Sequence, residues 1–165
     1  MRVIALDDLT ILPANKATSE DLEAVLGTTD ADRTSGIVAY LDGQPVAWAA
    51  VEPRTAYPKL RSSRIPWSGR DEDKDDESVW AVTCFVVRKE WRGRGLTYAL
   101  ATATIGFARE RGALALEAYP MVTQPGKDIT WGETHVGTRQ VFQDAGFSEV
   151  THPTVRRVVM RIDLT

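Results

Sequence analysis

The residues Val86-Val87-Arg88-Lys89-Glu90-Trp91-Arg92-Gly93-Arg94-Gly95-Leu96-Thr97 begin apolar, turn basic around two glycines and end on the first turn of a helical pattern. Glycine lets a backbone approach a ligand closely, and the first amides of a helix have no partner inside it. Such amides lie at the positive end of the helix dipole and favour an anion, phosphate above all. Arg88, Lys89, Arg92 and Arg94 add charge to the same turn. The plainer alternative is a tight strand-to-helix turn whose arginines face water. The strand before, the helix after and four basic residues within seven positions favour the anion site. Two familiar phosphate loops do not fit. G-x-x-x-x-G-K-[ST] is absent, and Tyr98 stands where G-x-G-x-x-G needs its last glycine.

Working outward, Val79 to Val87 is apolar on both faces and reads as a central buried strand. Leu96 to Arg111 reads as a helix, with Leu96, Leu100, Ala103 and Phe107 on its buried face and Gly112 at its end. Leu114 to Tyr119 is a further strand, stopped by Pro120. Upstream, Asp42-Gly43 between Ile37–Leu41 and Val46–Val51 signals a hairpin, because both residues tolerate positive φ. Thr18 or Ser19 caps a helix that ends at Gly27. Downstream, a helix over Thr138–Ala145 stops at Gly146, followed by strands near Phe147–Val150 and Val155–Leu164. In the last strand Val158, Met160, Ile162 and Leu164 alternate with Val159, Arg161 and Asp163, so one face is buried and the strand is a candidate for pairing across a homodimer. Glu52–Glu77, with three prolines and the run Asp71–Glu77, reads as loop with one irregular helical turn. The run itself suits solvent or the attraction of a cationic amine. Met121–Gly132 is a second long loop.

The chain has 165 residues, 43% of them hydrophobic, and a formal charge of −3 from 20 Lys/Arg and 23 Asp/Glu. That is the size of one domain, with no basic excess to draw it onto nucleic acid or an anionic membrane. No uncharged stretch approaches the 20 or so residues of a spanning helix, and Met1–Asp8 lacks the apolar core of a signal peptide. One cysteine and two histidines exclude a disulfide framework and a structural zinc site, so no metal is expected. A cytoplasmic globular protein is the expectation.

Arg92-Gly93-Arg94-Gly95-Leu96-Thr97 matches R-x-x-G-x-G/A, and Val141-Phe142-Gln143-Asp144-Ala145-Gly146-Phe147 resembles the late Y-x-x-x-G-F element of the GNAT superfamily of acetyl-CoA-dependent N-acetyltransferases. The likeness extends over about residues 36–164, with a motif core near 78–150, in a single domain spanning 1–165. It implies an α/β (α+β) fold: a mixed, mostly antiparallel twisted sheet flanked by helices. It also implies acetyl transfer from acetyl-CoA to a primary amine of a small molecule or peptide, in a ternary complex.

The resemblance further implies a cofactor role for named residues. Backbone groups of Phe85, Val86 and Val87 would pair with the pantetheine arm, and the amides of Arg92, Gly93, Arg94, Gly95, Leu96 and Thr97 would hold the pyrophosphate. Thr97 replaces the family's small residue and offers a hydroxyl instead. Phe142 occupies the position of the tyrosine that protonates the leaving thiolate, and it has no proton to give. That departure motivates a second reading, an acyl-CoA sensor or regulatory module without efficient turnover. For the base that deprotonates the amine, the candidates are Glu117, on the strand beside the cleft, and Glu133 and His135 in the loop before the late helix. Glu117 is equally readable as an ion-pair partner of an arginine. Trp67 and Trp131 lie in the two loops expected to cover the acceptor, and Cys84 reads as a small core residue.

Overall fold

Thr18 accepts a hydrogen bond from the Asp21 amide and Gly27 adopts φ 73°, which bounds helix α1 at Ser19–Leu26. The same economy of local signals recurs along the computed structural model, which describes residues 3–27, 35–123 and 135–165. Asp42 and Gly43 take φ of 51° and 80° and turn one strand back on the next. The strands are β1 (Thr10–Pro13), β2 (Ile37–Leu41), β3 (Gln44–Pro53), β4 (Val79–Val87), β5 (Ala115–Ala118), β6 (Ser148–Thr154) and β7 (Arg157–Asp163). The other helices are α2 (Pro58–Ser62), α3 (Leu96–Glu110) and α4 (Arg139–Ala145). One seven-stranded sheet results, in the order β1-β2-β3-β4-β5-β7-β6, and only β4 and β5 run parallel.

Two layers cover the sheet. On one face α3 and α4 pack on Val82, Phe85, Leu116, Ala118 and Met160. On the other, α1 covers Val38 and Tyr40, while Tyr57, Leu60 and Ile65 from the β3–β4 connection cover Ala81, Tyr119 and Val159. Burial of these apolar faces, at about 25 cal/mol per Å², is the main force holding the layers together.

The functional geometry comes from a break in the sheet. β4 pairs with β5 only over Val79–Val82. The β3–β4 register then slips between Ala50 and Val51, leaving Thr83 as an extra residue in β4. Beyond it β4 stays with β3, whereas the chain after β5 stays with β7, through Val158 N–H to Pro120 C=O at 3.3 Å and a bridge of Met121 to Arg157. A wedge opens between them.

Three expectations change. The buried face of α3 is Leu96, Ala99, Leu100, Ala101, Thr104, Ile105 and Ala108, with Ala103 and Phe107 only partly covered. Phe107 instead meets Trp80 edge-on and carries the Arg111 guanidinium 3.7 Å from its ring centre. β7 lies between β5 and β6, so its edges are taken and it cannot pair across a dimer as expected; β6 is the outer strand at that side. β1, which has no counterpart in the sequence reading, completes the opposite edge.

Candidate active site

A cavity of about 390 Å³ opens where β4 meets the N-terminus of α3. Phe85 and Val87 form one wall, the turn from Trp91 to Tyr98 another, and Gly137, Thr138 and Val141 a third. The turn is shaped by Gly93 and Gly95, at φ 75° and 80°. Tyr98 and Ala99 both donate to the Gly95 carbonyl as the first bonds of α3. The Leu96 and Thr97 amides therefore stand outside the helical ladder, at its positive end. Arg92 lines this end of the cavity, and its Nε donates to the Val87 carbonyl at 3.0 Å.

The four basic residues of the turn do not act as one cluster. Arg88 donates to the Pro45 carbonyl and pairs with Glu90, and Arg94 lies over the Trp91 ring at 5.3 Å. The β4 residues divide as well. Arg88 N–H donates to Val46 on β3, so by strand alternation Val86 also faces β3, while Phe85 and Val87 face the wedge. The Phe85 N–H donates to the His135 carbonyl at 2.7 Å. The segment from His135 to Thr138 thus crosses the wedge, with its far side bonded to Met121. His135 itself is exposed at this crossing.

Phe142 lies beneath the cavity, fully buried, and is not part of its lining. Its ring packs 5.7 Å from Phe85 and 5.0 Å from Phe147. Gly137 lies against both Phe85 and Phe142; a Cβ there would come 2.7 Å from the Phe142 ring.

Glu117 is on the opposite face of the sheet and is completely buried. Its carboxylate accepts from Arg54 at 3.2 Å, Arg70 at 3.0 Å, Arg161 at 2.9 Å and the Tyr119 hydroxyl at 3.1 Å. Burial works to raise its pKa, but the hydrogen bond and charge of Arg70, with Arg54 and Arg161, outweigh it and hold the carboxyl below its ordinary range. A base needs a free lone pair facing the reacting amine. Glu117 has its lone pairs committed, and the geometry selects the ion-pair reading. Glu72, from the acidic run, joins the same cluster through Arg54 at 2.9 Å. Trp67 covers it, flanked by Arg54 and Lys74 at 5.0 and 5.1 Å. Cys84 is half-buried and burial pushes its thiol pKa up. Glu133 and Trp131 lie outside the described residues. The sequence offered an arginine as a partner for Glu117 but not which one, because Arg54, for example, lies 63 positions away.

The sequence profile of the acetyltransferase (GNAT) family matches residues 5–125, most of the chain. The chain belongs to this family. It is an acetyltransferase, and acetyl-CoA is the family's acyl donor. Solved structures share the fold across nearly their whole length. A GCN5-related N-acetyltransferase from Kribbella flavida is 19% identical, with a TM-score of 0.57, over 96% of this chain and 99% of the other. An N-acetyltransferase from Staphylococcus aureus Mu50 is 14% identical, with a TM-score of 0.57, over 95% and 99%. An acetyltransferase from Bacillus subtilis in complex with CoA is 11% identical, with a TM-score of 0.52, over 95% and 99%. Curated proteins gave no match. Among the described residues, no helix of this acetyltransferase is long and apolar enough to cross a membrane.

Proposed function

We propose that this acetyltransferase moves an acetyl group from acetyl-CoA to a primary amine of a small molecule or peptide by direct attack in a ternary complex. The observation that carries the proposal is the cavity joining the α3 N-terminal turn to the β4 edge at Phe85 and Val87. Its two ends suit the two halves of the cofactor. The amides and Arg92 at the turn suit a pyrophosphate, and the apolar walls of Phe85, Val87 and Val141 suit a thin, mostly apolar arm. When bound, acetyl-CoA supplies an acyl group activated as a thioester.

The chain's own residues divide the remaining work. The backbone from Arg92 to Thr97 holds the pyrophosphate, with the Thr97 hydroxyl as an additional donor. Phe85 and Val87 offer their edge to the arm, Val86 stays on β3, and Phe142 supports Phe85 from beneath. The Phe85 N–H is the donor best placed to stabilise charge on an acyl oxygen, once the His135 carbonyl yields it. Among the described candidate bases, His135 is favoured by the bond of its carbonyl to that edge, and Glu133 is close by in sequence. A second reading, an acyl-CoA-binding module without efficient turnover, is favoured by one observation: Phe142 is sealed in an aromatic cluster with no hydroxyl to protonate a thiolate.

The two readings part in a thiol-release assay with acetyl-CoA and a panel of amino acids, polyamines and short peptides. Turnover of 1 per second or faster on any amine, within the usual enzyme range, supports the transferase. Saturable acetyl-CoA binding with no release above background on every amine supports the module.

A further inference from the structure

Arg157 opens β7, and its surroundings differ from those of the other arginines on its face. The β5–β7 register runs unbroken from Ala115 opposite Asp163 to Met121 opposite Arg157. Arg157, Val159 and Arg161 therefore point to one side, the side opposite α3 and α4. Arg54, Arg70 and Arg161 on that side each hold a carboxylate, that of Glu117. Arg157 holds none. Its Nε and Nη2 both donate to one main-chain carbonyl, that of Tyr119, at 3.1 and 2.6 Å. Among the described residues, no carboxylate lies within ion-pair distance of it.

The position of that carbonyl fixes where the guanidinium sits. Pro120 C=O accepts from β7, and Met121 exchanges bonds with Gly137 and Arg139 on the other side. By alternation the Tyr119 carbonyl also points away from β7, into the wedge between β4 and the end of β5. The cation is thus anchored at the apex of the wedge. It lies on the face opposite the helices, whereas the proposed cofactor cavity lies against α3 and α4. A guanidinium carries five N–H donors, and two of them are used here. Desolvation lowers its pKa, and among the described residues no acidic neighbour offsets the effect. A half-buried cation at the wedge, with no counter-charge among the described residues, suits an anion from outside.

We infer that Arg157 binds the carboxylate of the acceptor, so that the substrate class is amines carrying a carboxylate, amino acids in the first instance. The inference rests on the transferase reading for its reaction but not for its binding test. A fork anchored on a main-chain carbonyl holds a planar carboxylate in a fixed orientation, which sets the amine of the same molecule relative to the acyl group across the wedge. An amine without the carboxylate would leave the guanidinium desolvated and unpaired. A site built that way discriminates by about 10- to 100-fold per charged hydrogen bond.

Two arms test it with wild type, Arg157→Gln and Arg157→Lys, each checked for folding by thermal denaturation. The binding arm measures thermal stabilisation by N-acetyl-L-amino acids, which resemble the product, against the corresponding N-alkylacetamides that lack the carboxylate. Stabilisation of wild type by at least one acid over its amide, lost in Arg157→Gln and partly kept in Arg157→Lys, is expected. No acid stabilising wild type, or equal stabilisation in Arg157→Gln, overturns the inference. The turnover arm compares amino acids with their decarboxylated amines, such as phenylalanine with phenethylamine and lysine with cadaverine. The expected result is at least tenfold higher kcat/KM for the acid, with KM rising and kcat held in Arg157→Gln. A preference for the decarboxylated amines, or a kcat loss equal for both members of a pair, overturns it. Absence of turnover alongside selective acid binding would instead count against the transferase reading alone.

Discussion

Replacing the fully buried Glu117 with Gln removes one charge from its polar cluster and separates a structural carboxylate from a catalytic one. Glu117 receives hydrogen bonds from Arg54, Arg70, Arg161 and Tyr119. Glutamine keeps one acceptor oxygen and turns an NH2 group toward guanidinium donors. Arg54, with a side chain 1% exposed, would retain only Glu72 as an ion-pair partner among the described residues, and its Nε already has no hydrogen bond there. Breaking a buried pair from one side costs about 3–5 kcal/mol. For a chain of this size each kcal/mol is worth about 2–4 °C in Tm, so Glu117→Gln should melt roughly 6–20 °C lower. Urea denaturation followed by circular dichroism measures the same loss without a temperature extrapolation. The pH dependence carries the same signature. A lowered carboxyl pKa in the folded state contributes stability above the ordinary value near 4.3, and that stability is lost as pH falls through the depressed folded value. Glu117→Gln should flatten that acid limb. Assayed below its Tm, the variant should keep kcat within a few-fold of wild type. A stability loss under 1 kcal/mol combined with a kcat loss of 10²–10⁴, the usual contribution of a general base, would refute the structural assignment and return Glu117 to the reaction.

Gly137→Ala should destabilise by about 1–3 kcal/mol, since its Cβ would meet the Phe142 and Phe85 rings at 2.7 and 2.9 Å and φ is +84°; an unchanged Tm would mean that this crossing of the wedge is loose. Phe142→Tyr should lower stability by about 1–3 kcal/mol, because it buries a hydroxyl in an aromatic cluster, and should leave turnover unchanged; a rise in kcat would show that the ring reaches the leaving group.

Local signals were legible where the chain needed only its neighbours. The Thr18 cap follows from a side-chain acceptor; the Asp42-Gly43 turn, the Gly95 entry to α3 and the Gly146 stop follow from conformations that few residues adopt, and the mostly apolar β4 is central in the sheet. Features that depend on distant partners were not. β1 is four residues ending in proline, and only pairing with β2 makes it a strand. Arg54 is buried because Glu117 meets it, and nothing near Pro53-Arg54-Thr55 announces that. The face of α3 was misjudged because Ala and Thr dominate the helix, so its hydrophobic stripe is faint and the sheet beneath selects the buried side. At the site, the anion-binding turn could be read from glycines and helix start. The assignment of the Phe85 amide to the His135 carbonyl could not, because it depends on how β4 and β5 diverge.

The central claim, that the α3 turn and β4 edge form an acetyl-CoA site, is tested most directly by calorimetric titration of acetyl-CoA into wild type and Gly95→Glu. Glycine at 95 has φ 80°, and a Cβ there meets only Cγ1 of the exposed Val3 within 3 Å, so the substitution should cost about 1–2 kcal/mol and leave the fold intact. It also places a carboxylate among the amides proposed to hold phosphate. The account predicts saturable one-to-one binding by wild type and none by the folded variant. No heat of binding by wild type at high micromolar acetyl-CoA, or equal affinity in Gly95→Glu, would contradict it.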